Sequence, residues 1–204
     1  MYAVFDAEGN AVSNVYTNSI RNYAMGQLNK SSTNAKTKTL LVDMLNYGAA
    51  AQENFDYNTE DLANSLLTEE QKALATAPVA TADHRVKGEN YYGSNLSLEN
   101  KILLNFFFKG VAEGMYAEVS FGTTTVTMAF EEFEQYNGNI YKIPVDDIAL
   151  AESFELVTVT VYNADGTVHG EATDSVESYI ARSAASDLNE AIMKFAASAK
   201  VYFS

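Results

Sequence analysis

Apolar positions up to about residue 75 recur at helical spacing, those between Tyr91 and Thr173 alternate or run in short blocks, and helical spacing returns after Ser175. In the first stretch Ile20, Tyr23, Ala24 and Leu28 fall at i, i+3, i+4 and i+8 behind Thr17-Asn18-Ser19. That triplet is an N-cap signature, so the pattern predicts an amphipathic helix. The loop 29–34 leads to a second predicted helix with Met44, Tyr47, Ala51 and Phe55 as its inward stripe. A third helical piece is predicted at about 59–75 from Leu62, Leu66, Leu67 and Leu74, and Thr68-Glu69-Glu70-Gln71 can start a separate short helix. Pro78 and the polar run 81–89 then mark a boundary.

Beyond that boundary the strand candidates are 95–98, 102–108, 116–121, 123–130, 140–144, 155–162 and 167–173, separated by turn residues such as Gly114, Gly122, Gly138 and Gly166. Val157, Val159 and Val161 alternate with Thr158, Thr160 and Tyr162, the period of a half-buried strand. Short strands at a spacing of roughly 8–12 residues suggest an antiparallel sandwich resembling immunoglobulin-like domains. After Thr173-Asp174-Ser175, the set Val176, Tyr179, Ile180 and Ala184 opens another helix, and Ile192, Phe195, Ala199 and Phe203 stripe the last one. The expected organisation is therefore α+β. Residues 1–80 form a helical segment ending a preceding repeat, and 81–204 form a β-sandwich (about 90–173) with a C-terminal αα-hairpin (174–204).

These patterns occur twice. Val4-Phe5-Asp6-Ala7-Glu8-Gly9-Asn10 matches Val161-Tyr162-Asn163-Ala164-Asp165-Gly166-Thr167, both reading as hairpin corners in which Gly9 or Gly166 supplies a positive φ. Ser19-Ile20-Arg21-Asn22-Tyr23 matches Ser175-Val176-Glu177-Ser178-Tyr179, and the residues from Leu45 to Phe55 match those from Met193 to Phe203. The spacing is shorter in the second copy, most simply through its interhelical loop. Small residues crowd one side of each second helix, Gly48-Ala49-Ala50 and Ala196-Ala197-Ser198, which suits close packing of the helix axis. Internal self-similarity marks a slice of a larger modular protein, cut out of phase with its repeat.

Composition narrows the chemistry. With 27 acidic against 13 basic residues the formal charge is −14 over 204 residues, and no dense Lys/Arg cluster occurs. Nucleic-acid and anionic-membrane partners need a basic footprint and are not expected. The longest apolar runs, such as that around Phe106, fall far below the roughly 18 residues of a membrane span. Tyr2-Ala3-Val4-Phe5 reads as a strand end, so a signal peptide is expected outside this piece. The absence of cysteine excludes disulfides, thiolate metal sites and a Cys nucleophile.

His84 and His169 lie far apart in the chain and are read as exposed spectators, and the familiar hydrolase, phosphate-loop and zinc-protease signatures are missing. Glu131, Glu132, Glu134, Asp146 and Asp147 are read as solvated strand ends and turns. No cofactor and no metal is expected. The nearest approach to a calcium loop is Asp6 with Glu8 and Asn163 with Asp165, which lack the twelfth-position Glu. Aromatic residues, 13 Tyr and 11 Phe without Trp, are the remaining lead. Tyr91, Tyr92, Tyr116, Tyr136 and Tyr141 fall at strand ends or loops, where flat rings can bind a glycan.

The segment 98–108, the hairpin 159–167, the helix 175–182 and the ending 194–203 together resemble a repeat module of large secreted or cell-surface proteins of gut Clostridia. The resemblance implies an extracellular, multidomain setting with neighbouring domains of the same parent as partners, and it carries no catalytic residues. The expected function is a noncatalytic spacer or adhesion module meeting a glycan or a surface protein. The alternative is an accessory carbohydrate-binding module using the five tyrosines.

Overall fold

The computed structural model describes residues 6–8, 10, 19–98 and 101–204. They form an α+β structure with two antiparallel sheets, of five and four strands. The helical elements begin with α1 (Ile20–Leu28), α2 (Ala35–Asn54) and α3 (Glu69–Lys72). The strands follow as β1 (Val86–Lys87), β2 (Tyr91–Leu98), β3 (Ile102–Lys109), β4 (Tyr116–Phe121), β5 (Thr124–Ala129), β6 (Glu134–Asn137), β7 (Ile140–Ile148), β8 (Val157–Tyr162) and β9 (Val168–Asp174). Two helices close the chain, α4 (Val176–Arg182) and α5 (Asp187–Phe203). The chain divides into two compact units, one of the described residues up to Pro78 together with Glu190–Ser204, the other Val79–Asn189.

In the helical unit, Ser19 caps α1 by accepting the Asn22 N–H at 3.0 Å, and Asn34 caps α2 through the Thr37 N–H at 2.9 Å. Each cap satisfies an amide that has no partner within its own helix. Ala24, Leu28, Leu41, Val42, Leu45 and Leu67 make the core. The α1 stripe is therefore narrower than the sequence suggests: Ala24 and Leu28 face inward, whereas Ile20 is 72% exposed and Tyr23 is exposed as well. Along α5, Ile192, Met193, Ala196 and Ala199 are buried, Phe195 meets the Tyr47 ring at 5.9 Å, and Phe203 is exposed.

The helix expected over 59–75 shrinks to α3, started by the Thr68/Gln71 capping box. Asp56 and Asn58 sit in the left-handed region, at φ 49° and 52°, which ends helical winding after α2. The Gln52 amide then takes the place of a backbone ladder. Its nitrogen donates to the Asn58 and Asp61 carbonyls, and its oxygen accepts the Ala63 N–H at 2.7 Å. A Cβ on Gly48 would stand 3.0 Å from Ala63 Cβ, so the small residue admits this turn-rich segment. Asp43, buried on α2, fixes the far end of the segment by accepting the N–H and hydroxyl of Thr76 at 3.0 and 2.5 Å.

In the β unit the five-stranded sheet runs β1-β9-β8-β4-β5 and the four-stranded sheet β2-β3-β7-β6. Buried residues on the alternating pattern are Ala117, Val119, Val157, Val159, Val161 and Ala172 from one sheet, Leu104, Phe106, Phe108 and Ile143 from the other. Alternation at period two puts each set on a single sheet face, and this gives a β-sandwich-like core. At Gly170 the chain passes so close that an added Cβ would lie 2.4 Å from the Glu89 carbonyl oxygen and 3.2 Å from the Phe108 ring. Strands β1 and β6 were not among the strand candidates. Both are exposed, and their sequences, Val-Lys and Glu-Gln-Tyr-Asn, carry no apolar alternation.

The internal repeat has a structural counterpart. Asp6 donates its N–H to the Asn10 carbonyl at 2.9 Å, and Asn163 closes its turn identically onto Thr167 at 2.8 Å. Ser175 caps α4 through the Ser178 N–H at 3.0 Å, as Ser19 caps α1. The shortening of the second copy is spread over several places. α4 has 7 residues against 9 in α1, α5 has 17 against 20 in α2, and the loop 183–186 replaces 29–34. The strand end at 2–5 and Gly9 lie outside the described residues.

Candidate functional site

The five tyrosines do not form one platform. Tyr91 on β2 is half-buried, packs edge-on to Phe108 at 5.9 Å and donates its hydroxyl to Ser94 Oγ at 2.9 Å. Burial raises its pKa above the ordinary tyrosine value. Tyr141, whose cross-strand partner is also Phe108, lies against Phe130 at 5.1 Å. Tyr116 stacks on Tyr162 at 5.0 Å with only 14° between the rings, on the outer face of the five-stranded sheet. The Tyr162 hydroxyl donates to Glu118, and that bond, ahead of desolvation, raises the Tyr162 pKa.

Tyr92 and Tyr136 are the exposed members, at 53% and 60%. Lys109 Nζ sits 5.2 Å from the Tyr92 ring centroid, and Tyr136 covers Phe107 edge-on at 4.8 Å. Phe107 and Lys109 are two residues apart on β3, so the two rings share the outer face of the four-stranded sheet. Lys142, opposite Phe107 and paired with Glu134 at 2.6 Å, adds charge to that face.

The calcium candidates are occupied by turn chemistry. The Asp6 carboxylate accepts the Glu8 and Asn10 N–H groups at 3.1 and 2.8 Å, and Asp165 accepts the N–H and hydroxyl of Thr167 at 3.0 and 2.6 Å. The Thr167 bonds hold the Asp165 carboxyl below its ordinary pKa. No group of three or more His, Cys, Asp or Glu side chains suited to a metal occurs among the described residues. Among the acidic positions, Glu132 caps a 3₁₀ turn through the Ala129 N–H at 2.7 Å, and Asp146 pairs with Lys101. His169 is no spectator: its Nε2 meets the Lys109 carbonyl oxygen at 2.7 Å and helps hold β9 against the end of β3.

The most concentrated polar cluster of the β unit escaped the sequence reading. Asp174, at the end of β9, is 0% exposed and pairs with both terminal nitrogens of Arg182 on α4. The same carboxylate accepts the Ser175 N–H at 2.9 Å and the Ser94 hydroxyl, while Arg182 also reaches Ser94 Oγ at 2.7 Å. Asp83 lies 3.7 Å from Arg182, and the Arg182 guanidinium stands 4.9 Å from the Tyr179 ring centroid. The stretch before β1 is drawn in by Ser178, whose Oγ accepts the His84 N–H at 2.9 Å, and by Glu177, which accepts the Ala82 N–H.

A buried charge needs a partner and filled hydrogen bonds, and this carboxylate has both. Tyr91 belongs to the cluster through Ser94, so its hydroxyl serves the framework. The one signal in the sequence was the repeat itself, in which Asn18 and Gly26 stand where the second copy has Asp174 and Arg182. No helix of the described residues is long and apolar enough to cross a membrane. Comparison with known proteins finds no match, whether to a family model, a curated protein or a solved structure.

Proposed function

We propose that this chain is a noncatalytic structural and interaction module of an exported, multidomain bacterial surface protein, built on an immunoglobulin-like sandwich and acting as a spacer or adhesion contact. The strand order supports the immunoglobulin-like reading. β2-β3-β7-β6 follows the A-B-E-D order of such domains, and β4-β8-β9 follows C-F-G, with β5 in the place of C′.

One observation carries the functional reading. The two buried carboxylates of the described residues, Asp43 and Asp174, each tie one segment of chain to another. Groups tuned for catalysis are typically left poised toward a cleft, whereas these are saturated by internal donors. The partners on this reading are neighbouring domains of the parent and a protein or glycan of a cell surface.

A second reading, an accessory carbohydrate-binding module, is favoured by the exposed Tyr92 and Tyr136 on one sheet face. A glycan array probed with the whole chain separates the two. The spacer reading expects no specific binding. Retention of a glycan that is lost in both Tyr92→Ala and Tyr136→Ala would replace it with the carbohydrate reading.

A further inference from the structure

One face of α1 is exposed, although its counterpart in the repeat is buried. Ser19, Ile20 and Tyr23 lie together on the first turns of α1 by the 3.6-residue period, and all three are exposed, Ile20 at 72% and Tyr23 at 59%. The matching residues in the second copy are Ser175, Val176 and Tyr179. Ser175 and Val176 are buried, at 0% and 1%, and Tyr179 is half-buried.

The contacts that hold α4 come from the two-sheet unit. The Glu177 N–H donates to the Ser153 carbonyl at 3.0 Å, Ser178 takes the His84 N–H, and Arg182 reaches Ser94 on β2. On α1, by contrast, Ala24 and Leu28 are committed to the helical core and Arg21 to Asp61, so Ile20 and Tyr23 are the apolar part left facing outward.

We propose that this face of α1 docks onto a second two-sheet unit, of the same kind as 86–174 and carried by a like repeat of the same polypeptide, as α4 docks onto its own. Repeats bury their apolar faces on their neighbours, and this chain holds both the docked copy and the undocked one. Ile20 then takes the place of Val176, and Tyr23 that of Tyr179. Asn18 and Gly26 replace Asp174 and Arg182 together, so the junction buries no unpaired charge. A second copy of this chain does not fit, because its two-sheet unit already carries α4 at that place. The proposal rests on the multidomain reading above and names the face at which the neighbouring domain meets this chain.

The chain has no cysteine, so single cysteines report burial one position at a time through their rate of thiol labelling. In the whole chain Ile20→Cys should react fast and Val176→Cys slowly. A tandem chain supplies the partner: residues 79–173 are placed directly before Asn18, so that the added β9 runs into α1 as the native β9 runs into α4. There the labelling of Ile20→Cys should slow by at least about tenfold. Phe55→Cys should be unchanged, since Phe55 and its counterpart Phe203 are both exposed. Hydrogen exchange should find the added copy of Val159 protected, and Tyr23→Asp should remove that protection while the native Val159 keeps its own.

Equal labelling of Ile20→Cys in the two chains would overturn the proposal, as would an added unit unprotected at its Val159, or protection that survives Tyr23→Asp. In the whole chain, Ile20→Cys as slow as Val176→Cys would show the face already covered, and would overturn it too. Labelling of Ile20→Cys that slows as the concentration of the whole chain rises would overturn it in favour of a second copy as occupant. The glycan array reads the spacer role separately. Any of these results beside a negative array leaves the spacer reading standing, and a positive array beside a slowed Ile20→Cys removes that reading alone.

Discussion

Arg182→Leu should be the most damaging single substitution at any charged position of the β unit. It leaves Asp174, fully buried, with the Ser175 amide and the Ser94 hydroxyl as its remaining donors, where the native carboxylate also has both nitrogens of the guanidinium. Removing one member of a buried pair costs about 3–5 kcal/mol, because the stranded charge keeps its desolvation penalty. At roughly 4–8 °C per kcal/mol for a unit of about a hundred residues, the melting temperature of the β unit falls by at least about 12 °C.

Urea titration, read through hydrogen exchange at the buried Val159 of β8, isolates this unit from the helical one. Asp174→Asn combined with Arg182→Met keeps an oxygen for the Ser175 N–H and removes both charges. It should cost only about 1–2 kcal/mol, less than Arg182→Leu alone. The coupling between the two sites then has the sign of mutual dependence. A loss below about 1 kcal/mol for Arg182→Leu, or a double variant whose cost equals the sum of the single ones, would refute the account of Asp174 as a charge needing this partner.

Three further outcomes are expected. Arg21 grips Asp61 through two bonds of 2.5 and 2.8 Å, holding the Asp61 carboxyl below its ordinary value and raising Arg21. A lowered folded-state pKa gives a contribution present above the unfolded carboxylate value, about 3.9, and lost as pH falls through the folded one. In a carboxyl-carbon NMR titration Arg21→Gln should therefore move the Asp61 midpoint upward, and an unmoved midpoint would refute the assignment. Ser19→Ala and Ser175→Ala each remove an N-cap and should cost about 1 kcal/mol in equilibrium denaturation. The second should cost more, since Ser175 is buried and Ser19 exposed. Gly170→Ala drives a Cβ against the Glu89 carbonyl oxygen, a backbone atom that no rotamer change can move, and should lower stability by about 1–3 kcal/mol in the same assay.

The framework was legible in the sequence wherever one short-range signal decided the outcome. The valine-threonine alternation of β8 marked a strand because one of its faces is buried along the whole length. Ser19 and Ser175 marked helix starts because a cap acts over three residues. What failed needed partners remote in sequence. Leucines at helical spacing in 59–75 do not wind into one helix, because Gln52, on another element, satisfies the amide and carbonyls of that stretch. Equally remote in sequence is the contact of Tyr91 and Tyr141, two of the ligand-binding candidates: β3 passes between their strands and makes both neighbours of the buried Phe108.

The buried ion pair belongs to the same class of remote contact, since Ser94 and Asp174 lie 80 positions apart and meet only once both sheets are built. The repeat nonetheless holds a trace of it. The two copies keep the turn closure and the N-cap serine, and they differ at both members of the pair together, Asp174 and Arg182 against Asn18 and Gly26. A buried carboxylate without its guanidinium is far costlier than the absence of both, so loss of either member favours loss of the other. Capping and turn closure are local and survive in both copies. The ion pair serves the complete two-sheet unit, where β2, β9 and α4 converge on a single carboxylate.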